Sequence, residues 1–203
     1  DVDINTFLYP YLYLQDPKNF VKRIREVLQP YGICEDKAAI REAAKTAYQA
    51  YHAYHSDLLA QGKQAIRFAQ KHDKAIIVLA GRPYHIDPQI NHGIHQLLTN
   101  LDFVVISENA LPRMAYEKRN VLNQWTFHSR MYNAARYVAT HANIQLIQLV
   151  SFGCGIDAIT GDEVKEILRD AGKLYTQIKI DEVDNLGAVN IRVRSLKAAM
   201  EER

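Results

Sequence analysis

Three short segments of the 203-residue chain carry residue types that could do chemistry. The first is Ser151-Phe152-Gly153-Cys154-Gly155-Ile156-Asp157, in which two glycines flank a thiol. Glycine lets the backbone come close to a bulky group, and a helix start just downstream favours the thiolate. Cys154 is therefore a candidate metal ligand or nucleophile, with Gly153 and Gly155 in support. The structural alternative is a small buried apolar residue, the commoner fate of a solitary cysteine. The second segment is Gly81-Arg82-Pro83-Tyr84-His85-Ile86-Asp87, with Asn91, His92 and His95 behind it. A guanidinium beside free amides at a helix N-terminus suits a phosphate or carboxylate, so Arg82, Tyr84, His85, Asn91 and His92 are candidate substrate- or anion-binding residues. The competing reading pairs Arg82 with a nearby acid and uses His85 as a cap. The third segment, Lys179-Ile180-Asp181-Glu182 followed by Asn185, offers the supporting carboxylates Asp181 and Glu182, which helix capping explains nearly as well.

All three segments follow short apolar runs. AIIVLA (75–80), FVVI (103–106), QLIQLV (145–150) and LYTQIKI (174–180) have the length and continuity of strands buried on both faces. Asp87-Pro88 predicts a helix through about Asn100, and 114–141 reads as a long helical stretch. Thr160-Gly-Asp-Glu163 has capping-box spacing and predicts a helix start, closed by Gly172. A basic helix begins near Leu186. Strands alternating with helices imply an α/β fold: a Rossmann-like, four-stranded, mostly parallel sheet with helices on both faces. Ligands of such sheets bind beyond the carboxyl ends of the strands, which is where the three segments lie.

A helical segment precedes this sheet. Phe7, Tyr9, Tyr11 and Tyr13 around Pro10 predict an extended arm laid over a core. Asp16-Pro17 caps a short amphipathic helix that ends at Pro30, and 36–70 predicts one long helix or two broken near Gly62. The boundary falls near residue 72: an aromatic arm and helical segment over 1–72, and an α/β domain over 73–203, packed as one unit. Tyr48, Tyr51, Tyr54 and His55 form a stripe at helical spacing that suits core or interface packing.

Composition narrows the function. Twenty-five Lys and Arg against 23 Asp and Glu leave a net charge of +2, which gives no electrostatic case for nucleic acid. The mean hydropathy of -0.26 and short apolar runs exclude a membrane-spanning helix. Cys34 and Cys154, 120 positions apart, form neither a CxxC pair nor a disulfide scaffold, which fits a reducing compartment and a cytoplasmic location. His52/His55 and His92/His95 have the spacing of metal ligands but no third ligand in register, so zinc is not expected. His128 can point toward the strand ends, while Trp125, Phe127 and Tyr132 beside it are read as packing. The phosphate loop GxxxxGK[ST], GxGxxG and GxSxG motifs are all absent. The opening at Asp1 suggests part of a longer polypeptide.

FLYPYLYLQDPKNFVKRIREVLQPYGI, GRPYHIDPQINHGI, NQWTFHSRMYNAA, SFGCGIDAITGDEV and KIDEVDNLGAVNIRVRSL, in that order, resemble the dehydratase-like region of activators of 2-hydroxyacyl-CoA (2-hydroxyglutaryl-CoA) dehydratase, the acyl-CoA dehydratase activase-related proteins. The resemblance spans most of the chain. It implies an anaerobic system in which an ATP-dependent activase injects an electron into an iron-sulfur dehydratase for radical removal of water from a 2-hydroxyacyl-CoA, with this chain on the electron-receiving side. It also implies that Cys154 is one ligand of a [4Fe-4S] cluster. Because such a cluster needs about four ligands, the resemblance implies partners in other regions of the parent chain, and neither cluster nor activity in this chain alone. A noncatalytic docking or anion/CoA-binding module is the other function the residues admit.

Overall fold

The computed structural model describes residues 7–33, 36–115, 123–151, 153–180 and 186–202. Asp181, Glu182 and Cys34 lie outside them. The chain divides into two compact units, 1–56 and 57–203.

In the first unit, helix α1 (Pro17–Leu28) starts at the Asp16 cap, whose carboxylate accepts from the backbone N–H groups of Lys18 and Asn19 at 3.1 and 3.2 Å. Helix α2 (Lys37–Lys71) is continuous, and its residues up to 56 belong to this unit. Val21 packs with Ile40 and Ala44, flanked by Phe20, Ile24 and Tyr48. The aromatic arm departs from expectation: Tyr9 and Tyr11 are 78% and 89% exposed. Pro10 sits in a stretch without regular secondary structure, Phe7 stacks on Tyr9, and the arm borders a shallow groove with Val27 and Tyr31 while its rings stay largely exposed. Tyr48 is half-buried and donates to the Leu14 carbonyl, whereas Tyr51 and Tyr54 are exposed.

The second unit contains β1 (Ile76–Ala80), α3 (Ile94–Asn100), β2 (Val104–Ser107), α4 (Thr126–Ala139), β3 (Ile144–Val150), α5 (Gly155–Asp170), β4 (Tyr175–Lys179) and α6 (Gly187–Glu201). The strands form one parallel sheet in the order β2-β1-β3-β4, as the α/β reading predicts. Alternate side chains divide the core between the two faces. Ile76, Val78, Ala80 and Leu146 meet α4, α5 and the Ala65–Ala69 end of α2. Ile77, Leu79, Ile147 and Leu149 meet α3 and α6. Right-handed crossovers explain the split: the chain moves one way from β1 to β2 and the other way from β2 through β3 to β4, so the connecting helices change face when the direction reverses.

Three predicted helix boundaries move. Asp87 does accept from Gln89 and Ile90, but His92 and Gly93 have φ values of +51° and +77°, so the turn does not propagate and α3 begins only at Ile94. Within 114–141 the helix covers Thr126–Ala139; Asn133 instead fixes an irregular segment, accepting from the Met114 N–H and donating to the Pro112 carbonyl. Thr160 caps nothing, because α5 is already under way at Gly155 and the hydroxyl donates back to the Ile156 carbonyl. Gly172 does close α5 in the left-handed conformation, with its own and the Lys173 N–H returned to Arg169 and Leu168.

Two measurements test this packing. A Cβ added at Gly62 would fall inside the contact distance of the Ala110 carbonyl oxygen. Alanine should gain about 1 kcal/mol of helix propensity, yet Gly62→Ala is expected to be net destabilising by roughly 1–3 kcal/mol, visible as a lower urea midpoint. Glu108 follows β2 and is 5% exposed, and burial pushes its carboxyl from 4.5 to about 7, opposed by its own backbone N–H and by Arg130. A carboxyl held above its unfolded value contributes fully below about pH 4.5 and loses that contribution as pH rises through about 7. Wild type minus Glu108→Gln stability should therefore fall by up to roughly 3 kcal/mol between pH 4 and 8; a flat difference would contradict it.

Candidate functional site

The strand order locates the site. From β1 the chain turns toward β2, and from β3 it turns toward β4, so the connections leaving the carboxyl ends of these adjacent strands diverge. A crevice opens at such a reversal. The two connections that border it are the Arg82 loop after β1 and the Cys154 loop after β3.

Cys154 is the N-cap residue of α5, extended at φ -95° and ψ 125°, with its thiol partly exposed. Backbone N–H groups of Asp157 and Ile156 donate to the sulfur and, with the Arg82 guanidinium, hold the thiol below its usual range. Arg82 Nη2 lies 3.3 Å from Sγ. The same nitrogen donates to Asp157 Oδ1 at 2.9 Å, and Arg82 Nε donates to that oxygen at 3.2 Å. Asp157 stands in the first turn of α5 with its side chain 9% exposed. One guanidinium thus joins the two loops, compensating the buried carboxylate and stabilising the thiolate beside it. A Cβ added at Gly153 or Gly155 would meet nothing within 4 Å among the described residues, so the space flanking the sulfur is open.

His85 is buried under the same loop. Its Nδ1 accepts from the Arg82 backbone N–H at 3.0 Å, which fixes the tautomer with the proton on Nε2, 3.2 Å from Ser151 Oγ. Burial lowers its pKa, against the pull of Asp157, so the ring is neutral at pH 7. The Tyr84 hydroxyl also lies 3.2 Å from Ser151 Oγ. Arg82, Tyr84, His85 and Cys154 are therefore brought together by direct or one-residue contacts. Asn91 is placed behind them: fully buried, it donates to the His85 carbonyl and accepts from the Gly93 N–H and His95, so its amide shapes the loop. His92 is exposed on the strained turn.

Asp157 and His128 complete the site. Asp157 closes the Cys154 motif in the sequence, but its bond to Arg82, 75 positions away, has no local signal. His128 lies toward the strand ends, buried and edge-on to Trp125. It also brings Nε2 to 3.8 Å from Asp157 Oδ1, with neither ring nitrogen hydrogen-bonded among the described residues and its pKa lowered by burial.

For an iron-sulfur centre these residues fit in part. Cys154 supplies one donor of the right chemistry, with open space beside it and a cation in contact. Among the described residues no group of three or more His, Cys, Asp or Glu is arranged to hold a metal ion. None of the helices among the described residues is long and apolar enough to cross a membrane.

A family model described as the CoA enzyme activase uncharacterised domain (DUF2229) matches residues 2–111. That stretch includes the Arg82 loop and ends before His128 and Cys154. No curated protein and no solved structure matches the chain.

The Arg82 contact yields a test on the sulfur itself. In a Cys34→Ser background, Arg82→Gln should raise the Cys154 thiol pKa part of the way toward a free thiol, because the backbone donors of α5 remain. Iodoacetamide alkylation at pH 7 should slow severalfold, with the circular dichroism spectrum unchanged. An unaltered pH–rate profile would remove Arg82 from the activation of Cys154.

Proposed function

We infer the function from the family outward: the chain belongs to the CoA enzyme activase uncharacterised domain family. We propose that it is the dehydratase-like, electron-receiving lobe of an acyl-CoA dehydratase activase-related system, and that Cys154 is one thiolate ligand of a [4Fe-4S] cluster. The observation that carries this reading is the Cys154 sulfur at the N-terminus of α5, drawn toward the thiolate by two backbone N–H groups and Arg82, with open space at the flanking glycines. Metal binding needs the deprotonated sulfur, and the backbone donors and Arg82 favour that form.

When bound, such a cluster supplies one-electron transfer to a 2-hydroxyacyl-CoA, the substrate class proposed here. The chain's own residues set its surroundings. Arg82 places positive charge beside the thiolate and is held there by Asp157. His85, neutral and oriented by the Arg82 backbone, fixes Ser151 ahead of the Cys154 loop. The chain has two cysteines in all, so the remaining ligands come from other regions of the parent polypeptide, and this chain by itself is expected to be inactive. An ATP-dependent activase is the proposed electron donor.

The anion-binding reading is less well supported. Arg82 commits both Nε and Nη2 to Asp157, and a carboxylate at that position repels a CoA phosphate.

Anaerobic reconstitution of the full-length parent with iron and sulfide, wild type against Cys154→Ser, tests the proposal. Loss of bound iron, acid-labile sulfide and the reduced-cluster electron paramagnetic resonance signal is expected, with an unchanged thermal unfolding midpoint. Equal cluster content in both proteins would strike Cys154 from the ligand set.

A further inference from the structure

The first unit holds a feature that the proposed function does not use. On α1, Lys18, Lys22 and Arg25 recur at i, i+4 and i+7; on α2, Lys37, Arg41 and Lys45 recur at i, i+4 and i+8. Each set forms a row along one helix face, about 10–12 Å long at 1.5 Å per residue. Both rows line a single groove of about 930 Å³ between the two helices. Val21, Ala44 and Tyr48 also line it, and these are the residues through which α1 and α2 pack on each other, so the floor is apolar.

Cations outnumber carboxylates on the walls of this groove, although Asp16 at the start of α1 acts electrostatically on Lys18. Glu26 is the only carboxylate on its wall among the described residues; it lies 4.0 Å from Lys22 and 3.2 Å from Arg23. Lys45 reaches Glu42 at 3.1 Å. Lys18, Arg25, Lys37 and Arg41 enter no ion pair among the described residues.

The shape selects the occupant. A phosphate group needs cations that converge on one point, and two rows spread along opposite rims do not converge. A bilayer is flat, and this apolar floor is recessed between charged walls. An amphipathic helix has the matching form: an apolar stripe for the floor, and acidic residues at helical spacing on both sides of the stripe, opposite the two rows, as in the flanking pairs of a coiled coil. We propose that the α1–α2 groove docks an acidic amphipathic helix of a partner protein. This stands apart from the reading of Cys154, and neither falls with the other.

The test uses the 203-residue chain and an acetylated, amidated 18-residue peptide with Leu at every a and d position and Glu at every e and g position. Saturable binding is expected, with NMR shift changes concentrated on α1 and residues 37–48, weakening about tenfold between 50 and 300 mM salt as the charges are screened. Lys18→Glu/Arg25→Glu/Arg41→Glu, with an unchanged circular dichroism spectrum, should weaken binding at least tenfold and should bind the same peptide remade with Lys at e and g. Replacing the Leu positions by Gln should also abolish binding to wild type, an arm that needs no protein variant. No binding by the Glu peptide, equal binding by the Gln-substituted peptide, or retention by the triple variant would overturn the proposal. Saturable binding of inorganic pyrophosphate or of phosphatidylglycerol vesicles at the groove in place of the peptide would also overturn it.

Discussion

The parallel pairing of β1 with β3 is the constraint from which the rest of the second unit follows. These two strands form the middle of the sheet, with Ile76 opposite Ile144 and Ala80 opposite Gln148. Their inward and outward side chains serve different clusters, so neither face can be left open to water. Because β2 and β4 then lie on opposite sides, the chain must reverse its direction of travel across the sheet. That reversal sends α3 to one face and α4 to the other, and separates the connections at the carboxyl ends of the central strands. The crevice is a consequence of backbone topology before any side chain enters it.

Within the crevice, one buried carboxylate organises the polar groups. Asp157 in a closed helical turn would be costly if left alone. Arg82 answers it with two donors on one oxygen, and that choice brings the guanidinium to the Cys154 sulfur. Among the described residues the second oxygen, Oδ2, has no hydrogen bond, and neither ring nitrogen of His128 has one. These atoms near the Cys154 sulfur contrast with the nearby His85, whose ring nitrogens contact the Arg82 backbone and Ser151. His85 belongs to the scaffold of the loop; Cys154 and His128 retain capacity for further interactions.

The first unit has a different physical character. Its core is a small cluster around Val21, Ile40 and Ala44, and much of its remaining surface near α1 is basic. The seven Lys and Arg of this unit are matched in number by seven Asp and Glu, so its basic character belongs to the groove walls and not to its net charge. Charge sums describe solubility and long-range attraction; the arrangement of charge along a groove describes recognition.

All four strands were legible in the sequence, to within a residue or so at each end, because short runs rich in aliphatic and β-branched residues, such as Ile76–Ala80, suit strands covered on both faces, and even β4, with Thr176 and Gln177, keeps Tyr175 and Ile178. Caps marked by an immediate neighbour were legible too: Asp16-Pro17 and Gly172 act within a few residues of themselves. Boundaries failed where a local signal was outbid, as at Asp87, whose turn is cut short by the left-handed backbone of His92 and Gly93, and at Thr160, already inside a helix. The sequence by itself determined which residues are chemically capable and that they follow strands. Only tertiary structure decided that Arg82 faces Asp157 and Cys154, that Asn91 serves the loop, and that His128 comes to Asp157. Those choices depend on which strand ends become neighbours, a property of the sheet order that no local stretch of residues encodes.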